Sequence, residues 1–149
     1  MDAKRTVRRG VELWNARDRE VFLALFDESV IWLDEASGQQ LTGRDELGMG
    51  WYDAVMASYP DREVTDAVVF GEGELVCLQG RLVGTHTGSW HGPAGEIPPT
   101  GKRIDAPFAQ VYEVRDGKVT RVWNYGDRLL MLEQEGIVSL EKLFAAGAA

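Results

Sequence analysis

The stretch KRIDAPFAQVYEVRDGKVTRVWNYGDRLLMLEQEG, residues 102–136, decides the fold because its hydrophobic period changes along its length. Residues 102–114 and 118–125 are rich in β-branched and aromatic side chains and read as two strands. The Arg115–Asp116–Gly117 segment between them is a hairpin turn. Beyond Tyr125, Leu129, Leu130 and Leu132 crowd one apolar turn, so a short helix starts at or just after Asp127. Asp127 thus sits among aromatics at a strand-to-helix junction, where desolvating a carboxylate is expensive.

Upstream of this unit, two more strands fit residues 62–70 and 74–88, joined by a Gly-Glu-Gly turn. Residues 88–101, GSWHGPAGEIPPTG, are dense in glycine and proline and read as a loop that is mobile or lies at the pocket mouth or dimer edge, with Trp90 anchored on something. The first sixty residues are helical in period. Val7, Val11 and Trp14 mark a helix over residues 4–15. Asp18 caps a second, whose stripe is Val21, Phe22, Leu25 and Phe26. A short strand, SVIWL at 29–33, precedes a third helix that carries Leu47, Trp51, Val55 and Tyr59, opens on a Thr42/Asp45 capping box and closes at Pro60.

Helices first and an antiparallel meander afterwards make an α+β domain, with the helices covering one face of a curved sheet. On the strand over 74–88, Leu75, Cys77 and Val83 share one parity and Val76, Leu78 and Leu82 the other. Both faces are therefore apolar and both need cover. The helices cover one, and a second copy of the chain covers the other, so a homodimer is expected. Residues 1–149 form one domain, with residues 140–149 as a flexible tail.

Composition narrows the function. The formal net charge of -8 repels phosphate backbones and argues against nucleic acid as a partner. No apolar run is long enough to span a bilayer, and the basic start lacks the apolar segment of a secretory signal. The single Cys77 cannot form an internal disulfide and reads as a small buried hydrophobe, so the cytoplasm is the expected compartment. Two histidines and one cysteine form no ligand-like cluster, so neither a metal nor a cofactor is expected. A phosphate-binding glycine loop and a nucleophile elbow are also absent.

What remains is a pocket with isolated polar groups. Trp123, Tyr125 and Asp127 alternate and share a face. Phe108, Gln110 and Tyr112 do the same on the preceding strand. If the two faces coincide, they form an aromatic wall carrying an amide, a phenol and a carboxylate, suited to a small apolar ligand with one or two carbonyl groups. Each residue also has a plainer role open to it. Asp127 fits a helix cap, Gln110 an ordinary strand residue, and the aromatics a core. His86 lies at a strand end, facing solvent or pocket. Arg81 faces solvent, or projects into the pocket against a carboxylate such as Asp127.

The segments RLVGTHTGSWHG (81–92), PPTGKRID (98–105) and RDGKVTRVWNYGDRLLMLEQEG (115–136) together resemble the SnoaL-like polyketide cyclases of the nuclear transport factor two-like superfamily. ELWNARDREVFLALFDESVIW (12–32) fits the same pattern, with Asn15 where members often carry an Asn ending the first helix. The resemblance covers essentially the whole chain. It implies a cone-shaped α+β fold around a deep pocket, usually dimeric, without metal or cofactor. It places the acid/base of an intramolecular aldol ring closure at Asp127 and a substrate-positioning polar pair at Gln110 and Tyr112, where Tyr112 departs from the usual histidine. The related limonene epoxide hydrolases carry Arg-x-Asp on the long strand. Here that strand reads Arg81-Leu82-Val83, with the arginine present and the aspartate missing, though Asp34 or Glu46 remains as another carboxylate.

On this reading, burial of Asp127 moves it towards use as a base, as in the ketosteroid isomerase pattern of an Asp base and a Tyr donor. The developing enolate oxygen needs a donor, and Tyr112, Tyr125, His86 and Arg81 are the candidates. Three functions are open: cofactor-free acid/base chemistry on an apolar carbonyl compound, hydrolysis of an epoxide with Arg81 orienting, and binding of a small apolar molecule without turnover.

Overall fold

A computed structural model describes residues 2–92 and 95–147. Helix α1 (Ala3–Ala16) is capped by Asp2, which accepts from the Arg5 N–H at 2.8 Å, and ends at Arg17 in the left-handed region (φ 62°). Asp18 then caps the five-residue α2 (Arg19–Leu23). Strand β1 (Phe26–Asp34) begins at Phe26, so the last residue of the expected second-helix stripe belongs to the sheet. After β2 (Gln40–Thr42), one continuous helical segment follows: α3 (Arg44–Leu47), a π-helical turn (Gly48–Tyr52) and α4 (Asp53–Ser58). The Thr42/Asp45 box does not form. Gly43 is the N-cap without a side-chain bond, and Glu46 reaches back to the Thr42 N–H at 2.8 Å.

The rest is strand-rich: β3 (Glu63–Glu72), β4 (Leu75–Thr85), β5 (Trp90–Gly92), β6 (Gly95–Ile97), β7 (Arg103–Arg115) and β8 (Lys118–Gly126), then α5 (Arg128–Gln134) and α6 (Leu140–Gly147). The stretch expected to be a loop thus holds the paired strands β5 and β6, and the expected tail is helical over Leu140–Gly147. No helix among the described residues is long and apolar enough to cross a membrane.

Six strands form one curved, unclosed sheet in the order β2-β1-β8-β7-β4-β3. It is not wholly antiparallel, because β1 runs parallel to β8. The long crossover from β1 through the helices and the meander returns the chain beside its first strand, which brings the sequence-distant Asp34 against β8. Helix α1 packs across β3, β4 and β7. Between helices and sheet lies a core rich in large aromatics. Trp14 stacks on Trp51 (centroids 4.9 Å apart), Trp51 lies 4.1 Å from Trp32, and Phe22 and Tyr52 close the group. Trp32, Phe26 and Tyr52 are buried, each removal from water being worth roughly 1.5–3 kcal/mol or more.

Asn15 is a clamp and not a pocket residue. Its amide donates to the Val64 carbonyl at 3.0 Å and its oxygen accepts from the Val64 N–H at 2.8 Å. Both backbone groups of Val64, on edge strand β3, are thereby tied to α1.

The β7–β8 hairpin contains the decisive irregularity. Asp116 and Gly117 both have positive φ (50° and 75°), the conformation of a tight two-residue turn, and Arg115 pairs with Lys118. A simple continuation would set Gln110 opposite Trp123. Instead a bulge intervenes: Val114 pairs with Val119, but Glu113 pairs with Arg121, leaving Thr120 as the extra residue. The Thr120 hydroxyl bonds the Glu113 carboxylate at 2.9 Å and lies 3.3 Å from its carbonyl oxygen. From the bulge onward Gln110 faces Asn124 and Tyr112 faces Val122. A one-residue slip exchanges the two faces of a strand.

Candidate active site

Because of that bulge, β8 turns Val122, Asn124 and Gly126 towards the helices. Trp123 and Tyr125 lie on the outer face of the sheet, opposite Val111 and Ala109, and Tyr125 is exposed. The expected aromatic wall of Trp123 and Tyr125 is therefore corrected: neither residue lines the cavity. Arg81 is also outward, on the parity of Cys77 and Gln79. It pairs with Asp105 at 2.7 Å rather than with a pocket carboxylate. His86 is fully buried but belongs to another cluster, where its ring lies 5.3 Å from that of Tyr59, Nδ1 is 3.1 Å from the Thr100 hydroxyl, and the Glu135 carboxylate stands 4.0 Å away. Tyr59 hydrogen-bonds Glu135 at the C-terminal end of α5, so this cluster seats that helix. Burial, followed by the Glu135 hydrogen bond, pushes the Tyr59 phenol up.

The expectations for β7 stand differently. Phe108, Gln110 and Tyr112 all point into a cavity of about 310 Å³. Its walls are mostly apolar and include Trp14, Phe22, Trp32, Trp51 and Met131. Trp90, half-buried in the β5–β6 hairpin, lies against the core and forms part of the rim. The hairpin is pinned by close backbone approach. A Cβ on Gly88 would sit 1.8 Å from the Ala57 carbonyl oxygen, and the buried Ser58 hydroxyl donates to Ala54 and approaches the Ser89 carbonyl within 3.0 Å.

One polar row crosses this apolar chamber. Asp34 on β1 is the register partner of Asn124 on β8, which is the partner of Gln110 on β7; Tyr112 is two residues along on the same face. Hydrogen bonds join all four. The Tyr112 hydroxyl donates to Gln110 Oε1 (2.5 Å), Gln110 Nε2 to Asn124 Oδ1 (2.9 Å), and Asn124 Nδ2 to Asp34 Oδ1 (3.1 Å). Asp34 Oδ2 accepts from the Ser37 hydroxyl (2.6 Å) and from Arg128 (3.2 Å). The direction of the chain is fixed at its charged end. An ionised carboxylate only accepts, so Asn124 must donate to it. Each amide then presents its oxygen to the next donor, and the single Tyr112 proton is spent on Gln110. Burial pushes the Tyr112 phenol up, so the hydroxyl keeps that proton.

Sequence reasoning reached Gln110 and Tyr112, and named Asp34 only as a spare carboxylate. It missed Asn124 and Arg128. An amide three residues before an Asp–Arg pair was a visible signal, but the bulge that turns it inward was not.

Asp127 is the N-cap of α5, with Oδ1 accepting from the Leu130 N–H at 3.0 Å. The expectation that it is desolvated among aromatics is corrected: it is exposed at the rim, since its neighbours Trp123 and Tyr125 face away. It nevertheless lines the cavity. Capping uses one oxygen, and Oδ2 has no protein partner among the described residues.

Residues 7–122 match the family model of the SnoaL-like domain. The chain belongs to the SnoaL-like family. None of the curated proteins matches it. Among solved structures, a candidate polyketide cyclase from Pseudomonas putida KT2440 is 24% identical, covering 90% of this chain and 98% of that one, with a TM-score of 0.79. IdmH, a candidate polyketide cyclase from Streptomyces antibioticus, is also 24% identical, over 91% and 99% of the two chains, with a TM-score of 0.76. A Catenulispora acidiphila DSM 44928 protein with a ketosteroid isomerase-like fold, in complex with trimethylamine, is 21% identical over 89% and 93%, with a TM-score of 0.73. This SnoaL-like chain shares with them the cone-shaped α+β fold.

Proposed function

We propose that the protein is a small-molecule enzyme using cofactor-free acid/base chemistry on an apolar carbonyl compound, of the cyclase (aldol ring closure) or isomerase type, with Asp127 as the acid/base. The observation that carries this is the placement of Asp127 at the rim of an aromatic-lined cavity with one carboxylate oxygen uncommitted. Proton abstraction from carbon needs a base held within hydrogen-bonding reach of the substrate, and a helix cap supplies the rigidity. Asp34 is the deeper carboxylate but is already committed to protein partners. Asn124, Ser37 and Arg128 already donate to it, so both of its oxygens are engaged by protein donors. The family and the fold support the same class of chemistry. The epoxide-hydrolase reading loses Arg81 as its orienting group, since Arg81 is outward; the arginine and carboxylates in the cavity are Arg128 with Asp34 and Asp127.

Screening small aromatic ketones and esters for turnover, then assaying Asp127→Asn, tests the proposal. The variant keeps the shape and the cap but removes the titratable group. A loss of about 10²–10⁴-fold in turnover with ligand binding retained is expected. Undiminished turnover in the variant would overturn the role of Asp127. Ketones that bind the wild-type protein but are never consumed would replace an enzyme with a binding protein.

A further inference from the structure

Ring closure or isomerisation through an enolate moves an electron pair onto the substrate carbonyl oxygen, and that oxygen needs a donor. The donors suggested by the sequence do not serve. Tyr125 and Arg81 lie on the outer face of the sheet, and His86 is enclosed with Tyr59 and Thr100. Tyr112 faces the cavity, but its one proton is held by Gln110, which leaves the phenol only lone pairs to offer.

Arg128 is the one Lys or Arg among the described residues that line the cavity. It follows Asp127 directly and is fixed from two sides. Its terminal nitrogen donates to Asp34 at 3.2 Å, and its guanidinium carbon lies 5.3 Å from the Trp90 ring centroid. Its Nε is buried and has no hydrogen-bond partner among the described residues. The side chain as a whole is only partly buried and lines the cavity, so the remaining guanidinium N–H groups are open to an acceptor brought by a ligand. The Trp14 indole N–H is also buried and unpartnered, but it is neutral; His91, in the hairpin, is exposed.

We propose that Arg128 binds the carbonyl oxygen of the substrate through a guanidinium N–H and carries the negative charge that develops there. The inference rests on the pocket being a site for carbonyl compounds. As Asp127 takes the proton from the α-carbon, the C–H electron pair becomes the enolate double bond and the carbonyl pair moves to the oxygen, against the guanidinium. Asp34 and Trp90 are positioning residues for Arg128. Because Asp127 and Arg128 are adjacent at the start of α5, one helix end would hold both the base and the electrophile.

The test is a binding measurement with two matched probes, 2-acetonaphthone and 2-ethylnaphthalene. They share a bicyclic body and differ in one carbonyl. Quenching of the cavity tryptophans reads each Kd for the wild type and for Arg128→Gln. The preference for the ketone over the hydrocarbon is expected to fall by about ten-fold in the variant, the size expected for a hydrogen bond from a charged donor. Arg128→Lys serves as a second variant. It keeps the charge near Asp34 but lacks the planar fork of N–H donors, and its preference should fall as well. A preference unchanged in the variants, or an equal loss for both probes, would overturn the proposal, because Arg128 would then only shape the wall. No turnover is measured. A failure here leaves the Asp127 assay standing, and a failure of that assay leaves this ratio readable.

Discussion

On the inner face of the sheet β8 presents Val122, Asn124 and Gly126; on the outer face it presents Arg121, Trp123 and Tyr125. The two faces reverse the usual expectation. The aromatics are outside, with Arg121 5.5 Å from the Trp123 ring, and the amide is inside. Asn124 is tolerated there because both ends of its side chain are bonded, to Gln110 and to Asp34. The outer face is apolar for another reason. Val68, Phe70 and Leu75, all exposed, continue the surface begun by Tyr125. Hydrophobicity alone thus does not say which side of a strand faces the core. The register does, and one inserted residue at Thr120 sets it.

The largest expected effect separates the faces by stability. Trp32→Ala, which removes a buried inner tryptophan, should cost about 3–5 kcal/mol, whereas Trp123→Ala should cost under about 1 kcal/mol in the monomer. Denaturant melts of the two variants check this, and equal costs would break the assignment of faces.

Asn124→Leu sharpens the comparison at one residue. It strips partners from Asp34 and Gln110 together and should cost about 1–3 kcal/mol, while Tyr125→Leu, one residue on, should change stability by no more than about 0.5 kcal/mol. The same melts report both.

A gentler effect concerns association. We propose that the outer face is the surface on which a second copy of the chain packs, burying more than about 1,000 Å² in total. Tyr125→Lys combined with Phe70→Lys should convert a dimer to a monomer in sedimentation at micromolar concentration while leaving the melting temperature of the monomer nearly unchanged. A wild-type monomer under those conditions would contradict the proposal.

How much of this could be read in the sequence follows from the same physics. The period-2 and period-3.6 segments located every strand of the β3–β4–β7–β8 meander and the short helix after Asp127, because those elements are long or carry a clear start signal. The parallel pairing of β1 with β8 was not legible, since nothing local marks a partner ninety residues away. That pairing brings Asp34 to Asn124. Gln110 and Tyr112 were placed on a shared face by alternation within one strand. Trp123 and Tyr125 were misplaced because comparing two strands needs the register across the turn, and Arg81 because an arginine on a strand apolar on both sides fits either face.

The central claim is that the ligand sits against the inner row of Asn124, Gln110 and Arg128. Side-chain NMR of the protein titrated with 2-acetonaphthone tests it most directly, reading amide and indole resonances on both faces at once. The account requires saturable shifts at the Asn124 and Gln110 side-chain amides and at the Trp51 and Trp90 indoles, with the Trp123 indole unmoved. Shifts concentrated at Trp123, with the inner amides silent, would contradict it.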